Sequence, residues 1–577
     1  VFVFLVESFD SMTQATSNRL SDSAANTPSS SAVAAVPTTL FDLIHPLANS
    51  TEVLLQCDDG TVWQGHDFYE KVARLALLMQ SRYALEKGDK VALLFWNQPE
   101  FFVTFFALRA LGLIAVPINI LMPPEDVGYV LQHSGVKTLI GCEELVQQVL
   151  TGLGLADPVA LRQSDFSVLV TNAQTDVFFP TMEEAMTILP DTPSWKAVLD
   201  LIREPIDPNE LALLIYTSGT TGVPKGVMLS ENNLLSNLSA FSTALNIGEA
   251  IEDPTFLLGL PLFHCYGLIC ALYAFLVQAK MVFVPKFNPK RMVAALQQYG
   301  VSFLPLVPTM FTLLLTAAKR SIDAGQGSPF PKLKWCISGG AALPEALLIQ
   351  LKAVLGVTVL EGYGLTETSP VIAVNVPTVG AVPNSVGPVL PNVVVRLVQH
   401  DTQQLVPVTL GTPSEEGEIQ VQGPNVMLGY YLNEAETTAV FTPDGWFKTG
   451  DLGRFDANGN LYISGGRLKD LIIRAGENIA PLPIERVLSL HPAVAAVAVI
   501  PKKDAKLGEA IHACVELTDD VKQQPDFTEA QLFQALANLV RTHLTPSFVP
   551  DSFTVYDALP KNPTGKVMKK KLIEVGV

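Results

Sequence analysis

Two hydrophobic patterns alternate along most of this chain. Short unbroken apolar runs read as buried strands: VALLFW (Val91–Trp96), SVLVT (Ser167–Thr171), LALLIYT (Leu211–Thr217), KMVFVP (Lys280–Pro285) and KWCISG (Lys334–Gly339). Between them lie longer segments with helical character, such as FFVTFFALRALG (Phe101–Gly112). Unbroken apolar strands separated by helices predict largely parallel sheets covered on both faces. Beyond Gly380 the pattern shortens to VVVRLV (Val393–Val398) and GEIQVQG (Gly417–Gly423), which predicts a small β-rich subdomain. A turn-rich stretch, Asp456–Asp470, then separates a compact αβ segment with strands at Val494–Ile500 and His512–Leu517 and a helix between Phe527 and Leu544. The expected fold class is α/β: a large domain of two helix-covered sheets with a β-rich subdomain, followed by a smaller α+β C-terminal domain. The expected boundaries are a lead at 1–39, a large domain at 40–465 and a C-terminal domain at 466–577.

The run Phe256–Val277 is apolar and long enough to cross a bilayer. Gly259, Pro261, His264 and Gly267 interrupt it, however, so a buried strand followed by a helix is expected, and no membrane span.

With 577 residues, 48% hydrophobic and 16% charged, the chain is expected to form two or more well-packed domains. A net charge of -18 argues against a nucleic-acid partner, whose phosphates require a broad basic surface. It leaves room for small phosphorylated ligands, which need only local lysines and backbone N–H groups. Six scattered cysteines show neither metal-ligand spacing nor a disulfide framework, pointing to a reducing, cytoplasmic compartment. At the start, VFVFLV (Val1–Val6) lacks the basic flank of a signal peptide, and Met12 suggests an upstream reading-frame extension. The Ser/Ala/Thr/Asn/Pro composition up to Thr39 predicts a disordered lead.

The strongest chemical signal is YTSGTTGVPKG, Tyr216–Gly226. A buried strand runs into Thr217, Ser218, Gly219, Thr220, Thr221 and Gly222, and Lys225 closes the segment. Glycines let backbone N–H groups converge on a polyphosphate, hydroxyls add donors, and the lysine adds charge. It is not the common P-loop, because Pro224 precedes the lysine and Gly226 follows it.

At this loop the sequence resembles the adenylate-forming superfamily of acyl-CoA synthetases, firefly luciferase and peptide-synthetase adenylation domains, most of all its fatty- and aryl-acyl-CoA ligases. The likeness covers nearly everything from Leu40 onward. EGYGLTET (Glu361–Thr368), GWFKTGDLG (Gly445–Gly453), GRLKD (Gly466–Asp470) and PKNPTGK (Pro560–Lys566) follow in the family's order.

The resemblance implies ATP, Mg²⁺ and coenzyme A as reactants with a small carboxylic acid, an acyl carrier protein being an alternative acceptor. Tyr363 would stack on adenine, Thr366 would bind phosphate, and Glu367 would hold Mg²⁺ with the phosphate oxygens. Asp451 and Arg467 would bind the ribose. In SGGAAL (Ser338–Leu343), Gly339, Gly340 and Ala341 would line the adenine and acyl pockets, and His264 would lie beside the acyl carboxylate. Lys566 would be the catalytic lysine bridging carboxylate and α-phosphate. Lys469 would be the hinge of a mobile C-terminal domain that rotates between the two half-reactions. Gly476, in IIRAGENIAP (Ile472–Pro481), would let the pantetheine arm pass close to backbone. Pro483 stands where the family usually has an acidic residue, although proline suits a first helical turn.

Three other functions fit parts of this pattern. An amino-acid adenylating or carrier-loading enzyme would need a carboxylate for the substrate ammonium, and Pro261–Lys280 contains no Asp or Glu. An acyl-AMP ligase omitting CoA would carry an extra block, but the spacing from Gly364 to Gly417 is ordinary. A non-catalytic nucleotide-binding regulator would have no need for the intact set of Lys566, Glu367 and Asp451.

Overall fold

The computed structural model describes residues 37–574, except 158–159, 162–163, 165, 172–181, 183–193, 219–222, 326–329, 331, 475–476, 505, 523–527 and 562–565. For residues 218, 465–467, 469 and 520 only the backbone is described. The expected lead at 1–39 therefore lies almost wholly outside the described residues.

Two mixed sheets form the large domain. The eight-stranded sheet runs Val371–Val374, Thr358–Gly364, Trp335–Ser338, Phe303–Leu306, Thr255–Leu258, Lys280–Phe283, Val53–Cys57 and Val62–Gln64. Its six inner strands are parallel, and an antiparallel strand closes each edge. The seven-stranded sheet runs Gly429–Tyr430, Pro224–Ser230, Leu211–Ser218, Ile114–Pro117, Lys90–Leu94, Thr138–Cys142 and Ser167–Thr171. Here too the parallel core acquires antiparallel strands on one side, because Leu211–Ser218 turns straight back into Pro224–Ser230. A parallel return needs a crossover of a dozen or more residues, whereas only five residues, 219–223, separate these strands.

Helix Pro99–Ala110 begins two residues before the expected position, with proline in its first turn, and is buried on every face but that of Glu100. Phe102 and Phe106 pack against Phe275, with ring centroids 5.1 and 4.9 Å apart. Its buried charge, Arg109, is paired: Nε donates to Glu231 Oε1 at 2.7 Å, and Glu231 Oε2 accepts from the backbone N–H of Leu40. Removing either partner would strand a buried charge, which is why such pairs are kept complete.

The apolar run Phe256–Val277 divides into strand Thr255–Leu258 and helix Cys265–Leu276. Asn97 stabilises the break: its side-chain amide donates to Leu260 O at 2.8 Å and accepts from Leu262 N at 3.2 Å. No helix among the described residues is long and apolar enough to cross a membrane.

The β-rich subdomain is a six-stranded antiparallel sheet: Gly387–Pro388, Asn460–Arg467, Phe447–Phe455, Gly417–Gln422, Val394–Val398 and Leu405–Val406. A short 3-10 turn, Leu468–Asp470, leads from it into the smaller C-terminal domain. That domain has its own five-stranded sheet, from Ile472–Arg474 to Ser552–Tyr556, and its own core around Ile484, Val499, Ile511, Val515 and Leu536. Helix Pro481–Leu488 forms with Pro483 inside its first turn, so the substituted position does not prevent helix formation.

Candidate active site

The parallel strands of the eight-stranded sheet place the site. Thr255–Leu258, Phe303–Leu306, Trp335–Ser338 and Thr358–Gly364 all end on the same sheet edge. Residues just beyond those ends, Leu260, Val307, Gly339, Gly340 and Leu365, line one cavity, the usual ligand position in a parallel sheet. Helix Glu231–Leu245 contributes Phe241, helix Cys265–Leu276 contributes Tyr266, and strand Val371–Val374 contributes its two end residues.

Among the described residues, no Asp, Glu, Lys or Arg lines this cavity. Its polar groups are His264, Tyr266, Tyr363, Thr366 and backbone. Tyr266 is occupied within the fold, its hydroxyl donating to Ile337 O at 3.0 Å. His264 is different. It caps the N-terminus of helix Cys265–Leu276, and its buried Nε2 finds no hydrogen-bond partner among the described residues. Burial lowers its pKa to about 4, so the imidazole is neutral at physiological pH.

Two close approaches explain why glycines stand in the motifs. A Cβ on Gly339 would lie 3.2 Å from the Tyr266 ring. A Cβ on Gly364 would lie 1.8 Å from Pro370 O, because the EGYGLTET segment folds back tightly: Leu365 N donates to that same carbonyl at 3.0 Å and Thr368 Oγ1 at 2.6 Å.

From this fold-back, Tyr363 and Glu367 reach other motifs. The Tyr363 hydroxyl donates to Asp451 Oδ2 at 2.6 Å, joining the residues expected at adenine and ribose. Asp451 pairs across the antiparallel ladder with Arg467, so the two expected ribose contacts are backbone neighbours. The Arg467 side chain lies outside the description. Glu367 Oε1 accepts from the Tyr430 hydroxyl at 2.9 Å.

The expected phosphate-binding segment lies between the antiparallel strands Leu211–Ser218 and Pro224–Ser230. Ser218 opposes Pro224 and Thr217 opposes Lys225, while Gly219, Thr220, Thr221 and Gly222 lie outside the described residues. Lys225 is engaged elsewhere in the fold: Nζ lies 2.6 Å from Glu436 Oε2 and 5.4 Å from the centre of the Tyr430 ring. Glu436, Tyr430, Tyr266 and Phe241 carried no signal in the sequence, because each meets the motifs only through contacts distant along the chain.

Several expected residues are not part of this cavity. Ala341 is exposed, beyond the lining. Lys566 is exposed, next to the bridge between Lys561 and Val567, and is not among the lining residues. Lys469 lies in the 3-10 turn between the two domains, with only its backbone described. Gly476 falls outside the described residues.

The small domain acts on Glu361, the neighbour of lining residue Gly362. Burial pushes the Glu361 carboxyl up to about 7, opposed by the hydrogen bond from Leu343 N and by the guanidinium of Arg486, on helix Pro481–Leu488.

Among the described residues, no group of three His, Cys, Asp or Glu side chains could hold a metal unaided. A single carboxylate such as Glu367, whose partner Tyr430 lies on a strand paired with Pro224–Ser230, would suit Mg²⁺, which binds through one or two carboxylates plus substrate phosphates and water.

Comparison with known proteins agrees with this arrangement. The long-chain-fatty-acid–CoA ligase of Bacillus subtilis is 31% identical over 525 residues, covering 88% of this chain and 89% of its own. The sulfoacetate–CoA ligase of Cupriavidus necator is 32% identical over 496 residues, covering 85% and 88%. ATP-bound MatB from Rhodopseudomonas palustris superimposes with a TM-score of 0.77 at 27% identity, covering 93% of this chain and 98% of that one. The AMP-binding enzyme family pattern matches residues 47–431, and that of the AMP-binding enzyme C-terminal domain matches 483–566. With both patterns in order around a cavity lined by the family's motifs, this chain belongs to the AMP-binding enzymes of the adenylate-forming superfamily.

Proposed function

We propose that this protein is an AMP-forming acid–thiol ligase that converts a neutral, apolar monocarboxylic acid, a fatty acid first among candidates, into its coenzyme A thioester. The observation that carries this reading is the shared cavity: an apolar acyl side and the nucleotide-side residues Gly340, Tyr363 and Thr366 meet in one lining.

In the first half-reaction, a carboxylate oxygen attacks the α-phosphorus of ATP, the bond to the pyrophosphate oxygen breaks, and acyl-AMP forms. Neutral His264 Nε2–H donates to the carboxylate without adding charge. Tyr363 stacks on adenine and Asp451 accepts the ribose hydroxyls. Thr217, Ser218 and the loop to Gly222 hold the phosphates with Lys225 and Thr366, and Glu367 would hold Mg²⁺, which neutralises phosphate charge when bound. In the second half-reaction, the CoA sulfur attacks the acyl carbonyl and AMP leaves with the electron pair. The domain boundary near 466 and rotation about Lys469 belong to this reading. They are supported by the change of sheet across the Leu468–Asp470 turn and by exposed Lys566 standing outside the cavity lining. A reducing, cytoplasmic location suits its six free, buried cysteines.

The uncharged lining predicts the substrate class. A second anionic group would be buried without a partner, costing several kcal/mol. In a panel of straight-chain, aryl, amino and dianionic acids, AMP release with and without CoA is the measurement. Neutral fatty or aryl acids should exceed sulfoacetate and free amino acids by on the order of 100-fold in kcat/KM. Turnover of a dianionic or amino acid with neutral acids inert would overturn the assignment. AMP release that ignores CoA would redirect it to an acyl-AMP ligase or a carrier-loading enzyme.

A further inference from the structure

Glu367 has a partner that none of the sequence motifs contains. The Tyr430 hydroxyl donates to its Oε1 at 2.9 Å, across 63 residues of chain. Tyr430 is held from several sides. It lies on strand Gly429–Tyr430, which pairs with Met228 and Val227 beside the phosphate hairpin. Its backbone N–H donates to Thr437 Oγ1 at 2.9 Å, and Thr437 in turn donates to Asn433 O. The Lys225 ammonium lies over its ring and is neutralised by Glu436 at 2.6 Å.

We propose that Tyr430 is a positioning residue whose hydroxyl orients Glu367 toward the metal-bound polyphosphate, with the Lys225–Glu436 pair steadying the ring behind it. The inference rests on the function proposed above, in which Glu367 meets Mg²⁺·ATP. A carboxylate with one fixed oxygen loses less freedom on meeting the metal. The chemistry of the donor matters. An ammonium on Glu367 would compete with the metal for the carboxylate charge, whereas a phenol orients the group and leaves it fully anionic. Lys225, which lies over the Tyr430 ring, is paired with Glu436.

The test is ATP binding to the full-length protein by calorimetry, with and without Mg²⁺ and with no acid present, so that no turnover occurs. Tyr430→Phe keeps the ring and removes only the hydroxyl. Its metal-free ATP affinity should match wild type, while the gain in affinity on adding Mg²⁺ should fall about tenfold, or ~1.4 kcal/mol. Glu367→Gln should lose the same gain, and the combined variant should be no worse than Glu367→Gln alone. If Tyr430→Phe keeps the full Mg²⁺ gain while Glu367→Gln loses it, Tyr430 is not a positioning residue and the metal role of Glu367 stands. If Glu367→Gln also keeps the gain, the metal reading fails and this proposal with it. If Tyr430→Phe weakens metal-free binding equally, the hydroxyl serves the fold, and the proposal is likewise overturned.

Discussion

Lys566→Ala is expected to lower acyl-adenylate formation by two to three orders of magnitude while leaving thioester formation from preformed acyl-AMP near wild type. The size follows from electrostatics. A carboxylate approaching an α-phosphate brings like charges to roughly 4 Å, which at an effective dielectric of about 20 costs about 4 kcal/mol per pair. A lysine bridging the two oxygens turns that repulsion into attraction, and loss of one such preorganised donor costs roughly 3–4 kcal/mol. Five lysines lie between residues 561 and 571, yet only Lys566 ends the PKNPTGK turn. Lys561 is committed to Glu516 at 2.8 Å and Lys569 to Glu485 at 2.7 Å, so neither is a ready substitute. The second half-reaction transfers an acyl group already activated and needs no such bridge. An equal loss in both half-reactions, with thermal unfolding unchanged, would show that Lys566 does something else.

The opposite phenotype is expected from Lys469→Pro. Lys469 lies in the Leu468–Asp470 turn, the link between the six-stranded sheet and the C-terminal domain. Proline fixes φ near about −65° and restricts the residue before it, so a rotation about this position would be blocked. Adenylation should survive within a few fold. Thioester formation should fall on the order of 100-fold, the scale expected when reacting groups are held out of place. Loss of fold would depress both half-reactions together, so opposite losses in Lys469→Pro and Lys566→Ala separate rotation from damage. Normal thioester formation by Lys469→Pro would mean that no rotation about this residue is needed.

Much of this architecture is legible in the sequence because local pattern and final environment agree. Ser167–Thr171 is a strand with the expected bounds, and the run from Phe256 breaks where Pro261 breaks it. What escapes is set by contacts between distant segments. The antiparallel pairing of Leu211–Ser218 with Pro224–Ser230 is a choice of strand direction, which hydrophobic period does not encode. The expected motifs meet as Tyr363 on Asp451, 88 residues apart, and only the fold shows that contact. Lys225 could be read as a phosphate-loop cation, but not as the partner of Glu436, 211 residues away. His264 is legible as a polar residue in an apolar run; its place in the cavity lining and its buried Nε2 without a partner among the described residues are not.

In the proposed reaction, one cavity activates a carboxylic acid with ATP and then passes it to a thiol. Isotope exchange between pyrophosphate and ATP, measured acid by acid, tests the first half directly, and mass detection of acyl-CoA after CoA is added tests the second. Exchange should require a neutral monocarboxylic acid, and one AMP and one acyl-CoA should then appear per acid consumed. Absence of exchange with every acid tried, in protein that still binds ATP, would contradict the proposal and leave a nucleotide-binding protein without ligase chemistry.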